Sequence, residues 1–239
     1  MDFFDLHTHH APARPGVRAI QSVFFDEKKP APIARGGQNH FLTGKNSDDA
    51  PLFSVGIHPW HLPLGLDSAM RWLRFEASQD DVLAVGEAGL DHAISAPINE
   101  QAEAFLACAR LAEEVEKPLI IHCVRANDEL LAFKKLLRPT QPWIMHGFAG
   151  HPNTAKQLVQ NGFWLSFGHA ILQNEKATAS LAAIPADRFF LETDDRPNLL
   201  VEDVFGAAAA IRGCSVEWVQ AQVWANFLTA FGQYSASLL

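Results

Sequence analysis

His7 and His9 stand one residue apart in the run Asp5-Leu6-His7-Thr8-His9, at the end of a short apolar stretch. In an extended strand alternate side chains share a face, so this spacing turns two imidazoles toward one ion. The pair gains weight from Glu87, His122, His146 and Asp194, each placed at the end of a later apolar run. Neutral imidazole and carboxylate suit zinc, manganese, iron or nickel, and no thiolate is needed. Six such donors are too many for one catalytic zinc that keeps an open position. They fit two ions sharing a bridging carboxylate, which can activate water and clamp the attacked and leaving oxygens. On this reading His7, His9 and Asp194 serve one ion, His122 and His146 the other, and Glu87 bridges. Asp194 is also placed to take the water's proton. A single histidine at a strand end is more often a satisfied core or loop residue, and a lone Glu or Asp caps helices. The coincidence of all six at strand ends is what argues for a metal.

Strands must position these donors. Eight short apolar, β-rich runs are legible at about 3–7, 19–25, 52–57, 82–86, 119–122, 143–146, 163–167 and 189–192. Amphipathic helical patterns lie at about 67–78, 99–115, 127–137, 152–161 and 174–183, and two more close the chain at 201–211 and 216–231. Such alternation predicts a parallel sheet with right-handed crossovers. Eight strands predict a single α/β domain over 1–239, a (β/α)8 barrel of TIM type, compact by the usual ~250-residue standard. Its chemistry belongs at the C-terminal ends of the strands. Pro118, Pro142 and Pro185 precede strands, where a helix must stop. The segment 26–51, rich in Gly, Pro, Asn and Asp, reads as a loop in place of a regular helix.

Composition narrows the function. Nineteen basic against 27 acidic residues leave a net charge of −8, without the basic stripe of a duplex-binding surface. Any nucleic acid is therefore expected in a catalytic pocket as a transient substrate. The three cysteines, Cys108, Cys123 and Cys214, form no CxxC pair and point to a reducing, cytoplasmic setting. No stretch approaches the ~20 apolar residues of a membrane span, and the N-terminus does not read as a signal peptide. No membrane association and no obligate protein partner are expected.

Taken together, several segments resemble the TatD family of metal-dependent hydrolases, among the amidohydrolase-type barrels. They are Asp5-Leu6-His7-Thr8-His9, Val55-Gly56-Ile57-His58-Pro59, Val85-Gly86-Glu87-Ala88-Gly89-Leu90-Asp91, Leu119-Ile120-Ile121-His122, His146-Gly147-Phe148-Ala149-Gly150 and Leu191-Glu192-Thr193-Asp194, with Asn226-Phe227 in the last helix. It is the ordered set, running nearly end to end, that is specific. The resemblance implies one or two divalent ions (zinc, magnesium, manganese or nickel) and phosphodiester hydrolysis by a metal-activated water, typically as an exonuclease-like DNase on DNA or oligonucleotides. It implies His7, His9, Glu87, His122, His146 and Asp194 as ligands. His58 falls where the family places a pocket histidine near the substrate phosphate, and joins Asp194 and Glu87 as catalytic candidates. Lys117 begins its strand, the wrong end for a bridging carbamylated lysine, which leaves Glu87 as the bridge.

The chain departs from the family pattern after two strands. His122-Cys123-Val124-Arg125 moves an arginine by one residue, and Thr193-Asp194-Asp195-Arg196-Pro197 adds an acid and an arginine at the mouth. Arg125 and Arg196, with His58 and Phe148, are the candidates for substrate contact. Trp60, Phe148 and Trp164 are candidates to stack a base, because every base offers a π-face. Glu192 and Asp91 are candidates to orient ligand histidines, and His61, His92, His151 and His169 to line the pocket. Hydrolysis of a small ester, amide or phosphate is the alternative reading; a catalytically idle interaction module is the alternative of another class.

Overall fold

The computed structural model describes residues 2–10, 15–27, 33 and 51–232; His40 and most of the 26–51 loop lie outside them. Eight strands follow one another: β1 (Phe3–Thr8), β2 (Val17–Phe24), β3 (Leu52–Gly56), β4 (Val82–Asp91), β5 (Leu119–Val124), β6 (Trp143–Met145), β7 (Phe163–Phe167) and β8 (Phe189–Leu191). They form one sheet in chain order, and every neighbouring pair is parallel. A parallel bridge between Thr8 and Asp194 brings the two ends of the sheet together. This is the eight-stranded α/β barrel that the alternation of elements predicts.

Among the described residues seven α-helices wrap the sheet: α1 (Leu66–Ala77), α2 (Ile98–Glu114), α3 (Asn127–Leu137), α4 (Pro152–Gln160), α5 (Glu175–Ala183), α6 (Val201–Arg212) and α7 (Val216–Phe231). Their buried residues recur at three- and four-residue spacing, as with Ala104, Phe105, Cys108, Ala109, Leu111 and Ala112 of α2. Caps mark where several begin. The Asn174 side chain accepts from the Lys176 amide, the Ser215 side chain from the Trp218 amide, and His151 from the Asn153 amide ahead of Pro152. Gly213, at φ +65°, ends α6 in the left-handed conformation a side chain resists.

Strands covered on both faces are continuously apolar rather than alternating, as in β3 and β7, where every residue is buried. Trp143 anchors one side of the core, its ring 5.3 Å from Phe105 and 5.7 Å from Phe163. Lys117 lies at the opposite end of the barrel from the chemistry. Its ammonium donates to the carbonyls of Ala77 at 2.7 Å and Gln79 at 2.9 Å. No helix of the described residues is long and apolar enough to cross a membrane.

One boundary differs in a way that matters. The apolar run legible at about 82–86 ends at Gly86, yet β4 runs on through Gly89 to Asp91, five residues further, with both glycines inside it. They serve close interstrand contact. A Cβ at Gly89 would overlap the His122 carbonyl oxygen, and one at Gly56 would overlap that of Glu87. Glu87 therefore sits inside a strand, between β3 and β5.

Candidate metal centre

Two irregularities in the sheet aim the donors. The β1–β2 register shifts between Asp5 and Thr8, around His7, and the β4–β5 register shifts between Val85 and Ala88, around Glu87. Bulges of this kind re-aim a side chain beside a site. Asp194, just past β8, holds φ +56°, a left-handed conformation that Asp tolerates better than most residues. Its amide donates to the His7 carbonyl at 2.9 Å and its carbonyl accepts from the His9 amide at 3.3 Å. Asp5, buried beneath, accepts from the Thr193 amide at 3.0 Å, the Thr193 hydroxyl at 2.6 Å and the His7 amide at 3.3 Å. One carboxylate thus ties the turn before Asp194 to the backbone of His7. Burial pushes the Asp5 carboxyl up to about 7, against the lowering effect of the Thr193 bonds.

Glu87 is the hub. Its Oε1 lies 2.6 Å from His146 Nε2, 2.8 Å from His122 Nδ1 and 3.1 Å from His58 Nε2. Its Oε2 lies 3.3 Å from both His7 Nε2 and His9 Nε2. Asp194 Oδ1 approaches the same pair, 3.8 Å from His7 and 3.6 Å from His9. The two oxygens of one carboxylate therefore face two different sets of imidazoles. The six sequence-selected donors come together, with His7, His9 and Asp194 as one compact trio. His58 is also close: with Glu87 and His122 it forms another group of converging donor atoms.

The surroundings orient these rings. Asp91 Oδ2 lies 3.2 Å from His122 Nε2 and accepts the Trp60 indole N–H at 2.7 Å. Glu192 Oε1 lies 3.6 Å from His146 Nδ1 and accepts the Gly147 amide at 2.6 Å. His58 Nδ1 accepts the Trp60 amide at 3.1 Å, so a neutral His58 carries its proton on Nε2. Burial lowers the His58 pKa, outweighing the Glu87 carboxylate that would raise it. Burial also disfavours the Glu87 carboxylate. The charge of His146 and hydrogen bonds from His122, His146 and His58 override it and hold Glu87 well below the carboxylate range. The Glu87 carboxylate, 3.3 Å from its Nε2, raises His9 against the cost of burial.

These atoms fit a cation. His7 Nε2 and Glu87 Oε2 are buried and have no hydrogen-bond partner among the described residues. Groups of this kind are uncommon in a folded interior and call for an explanation. A divalent ion among imidazole nitrogens and carboxylate oxygens supplies one.

A cavity of about 450 Å³ opens over the cluster, lined by His9, Ser22, Phe24, His58, Trp60, His61, Glu87, His122, His146, Asp194 and Asp195. Ser22 and Phe24, from the end of β2, carried no chemical signal in the sequence and enter through register alone. The other sequence candidates distribute as follows. Arg125 and Arg196 are exposed and do not line the cavity. Phe148 and Trp164 are buried in the core, while Trp60 stands open at the rim. His61 lines the cavity, His92 pairs with Glu129 at 2.7 Å, His151 caps α4, and His169 opens a short 3-10 turn. His10 pairs with Asp195 at 3.0 Å at the mouth.

Residues 34–232 match the family described as TatD related DNase. The 3'-5' ssDNA/RNA exonuclease TatD of Cronobacter sakazakii is 32% identical over 213 residues, covering 77% of this chain and 78% of that protein. An uncharacterized metal-dependent hydrolase of Haemophilus influenzae is 25% identical, covering 97% of this chain and all of that one (100%). Among solved structures, a TatD homologue from Escherichia coli superposes with a TM-score of 0.79 at 23% identity, over 96% of this chain and 97% of that one.

Proposed function

Because this chain belongs to the family of TatD-related DNases, we propose that it hydrolyses phosphodiester bonds at an end of single-stranded DNA or short oligonucleotides. The supporting observation is the division of the Glu87 oxygens, His58, His122 and His146 on one side and His7 and His9 with Asp194 on the other. We assign His7, His9 and Asp194 to one divalent ion, His122 and His146 to a second, and Glu87 as the bridge. With four imidazoles among six donors, zinc, manganese or nickel suits the set better than magnesium. When bound, such ions supply Lewis acidity that makes water nucleophilic near neutral pH and offsets phosphate charge.

The chain's own residues do the rest. The Asp194 side chain, 40% exposed, borders the cavity and is placed to accept the proton of the attacking water. Burial lowers the His58 pKa, and its Nε2–H, 3.1 Å from Glu87 Oε1, lies beside the bridging carboxylate, from which it would turn to donate to a phosphate oxygen as negative charge develops. Asp91 and Glu192 hold the His122 and His146 rings in their working orientations.

Purified protein supplied with Mn²⁺, Zn²⁺, Ni²⁺ or Mg²⁺ should shorten end-labelled single-stranded oligonucleotides. No turnover with any of these ions rejects the nuclease reading. One observation favours a second reading, a small ester, amide or phosphate as substrate: among the described residues no Lys or Arg lines the cavity. Turnover confined to such compounds in a substrate screen would establish it.

A further inference from the structure

Three aromatic rings surround His58 without being part of the donor cluster. Trp60 lies 5.2 Å from its ring, His61 6.0 Å and Phe24 6.1 Å. Phe24 and His61 are stacked on one another, 4.5 Å apart and 3° from parallel. Trp60 is 60% exposed, yet it is not a loose surface residue. Its indole N–H is tied to Asp91 at 2.7 Å and its ring centroid lies 6.0 Å from that of His122. A large apolar face is thus locked open at the wall of the cavity. Scattered exposed hydrophobic residues need no explanation. A ring fixed by a hydrogen bond beside a hydrolytic centre does.

What the cavity lacks points the same way. Among the described residues its lining has no Lys or Arg, and Asp194 and Asp195 stand at its edge. A run of phosphates finds no cationic track among these residues, and the rings offer a strand another source of affinity. Base–aromatic stacking supplies it without charge and tolerates any base.

We infer that the Trp60 indole and the Phe24–His61 pair form a stacking shelf for the terminal nucleobase, beside His58. The inference rests on the nucleic-acid reading of the site. It makes Trp60 a binding residue that selects substrates carrying a base at the cleaved end, without choosing among bases.

The test is binding to the metal-loaded full-length protein. Deoxyadenosine 5'-monophosphate and 1,2-dideoxyribose 5-phosphate, which differ only in the base, are titrated by calorimetry. Wild type should bind the nucleotide about tenfold or more tighter, the worth of one base on one ring. Trp60→Phe keeps an aromatic face and should retain most of that preference, while Trp60→Leu should bring the two ligands close to equal affinity. His61→Ala, which removes the partner of Phe24, is the second variant should Trp60→Leu not fold, and should also narrow the preference. Equal binding of both ligands by wild type, or an undiminished preference in Trp60→Leu or His61→Ala, overturns the shelf. The two proposals fail separately. Uncleaved oligonucleotides with the base preference intact reject the nuclease and keep the shelf; cleavage without base preference does the reverse.

Discussion

The amide of Asp194 donates to the carbonyl of His7 at 2.9 Å, across 187 positions of sequence. With the Thr8–Asp194 bridge, this contact brings the last strand back to the first. It also carries the Asp194 carboxylate to the His7–His9 pair. Closure of the barrel and assembly of the donor trio are one event, so loss of closure also disperses the trio.

Asp5 holds that closure from below, through two bonds to Thr193 and one to the His7 amide. Asp5→Ala leaves the buried Thr193 amide without its acceptor and the Thr193 hydroxyl with Thr8 Oγ1, 3.1 Å away. It should cost about 1–3 kcal/mol in a denaturant melt. Metal occupancy should fall with it, as measured by elemental analysis. Unchanged stability would show that the bridge holds without this carboxylate.

Glu87 is the shared donor in our assignment. Glu87→Gln removes the charge while nearly preserving volume. We expect lower bound metal per chain, and a loss of activity exceeding the ~10- to 100-fold typical of a residue that only orients a ligand. Full metal content with near-normal turnover would refute the bridging role.

Asp91 contacts His122 Nε2 and the Trp60 indole but no sequence-selected donor other than His122. Asp91→Asn should weaken metal affinity or activity by about 10- to 100-fold through the loosened imidazole. Competition with a chelator separates this from a fold defect, because thermal stability of the metal-free protein should change much less than metal affinity.

The described residues of the cavity lining include no Lys or Arg, which predicts shallow salt dependence. Each phosphate neutralised on a single strand contributes a slope of about −0.7 in log affinity against log salt. We expect the KM for oligonucleotides to change with a slope no steeper than one such contact. A steep slope would place a cationic strand-binding surface elsewhere on the molecule.

Lys117 predicts a pH effect on stability, remote from the cluster. Burial holds its ammonium down to about 8, against the opposing charges of Asp80 and Asp81, whereas its ordinary value is 10.5. Between those values the unfolded chain binds more protons than the folded one, so this group's contribution to stability rises with pH. Below about 8 both states are protonated and the cost of burying the charge is fully present. Relative to Lys117→Met, wild type should gain stability from pH 8 to 10 in denaturant melts. Lys134, also lowered to about 8 by burial, stays in both proteins and drops out of the difference. Parallel pH profiles would refute the assignment.

The barrel itself was written in the sequence. Apolar runs with helical patterns between them are a local record of burial, and the β7 and α3 boundaries match that record residue for residue. The donors were legible too, because His, Glu and Asp at the ends of apolar runs are expensive to place without a partner. The fourth run stopped short at Gly86, because the close approach of Gly86 and Gly89 to β5 is a non-local fact. Register, closure and solvent exposure were decided by the tertiary structure. Only there did Glu87 turn its two oxygens to two sets of rings, and only there did Phe24 reach the cavity while Phe148 and Trp164 went into the core. A residue's type records what chemistry it can do. Which other residue it meets depends on strands brought together from opposite ends of the chain, and no local pattern carries that.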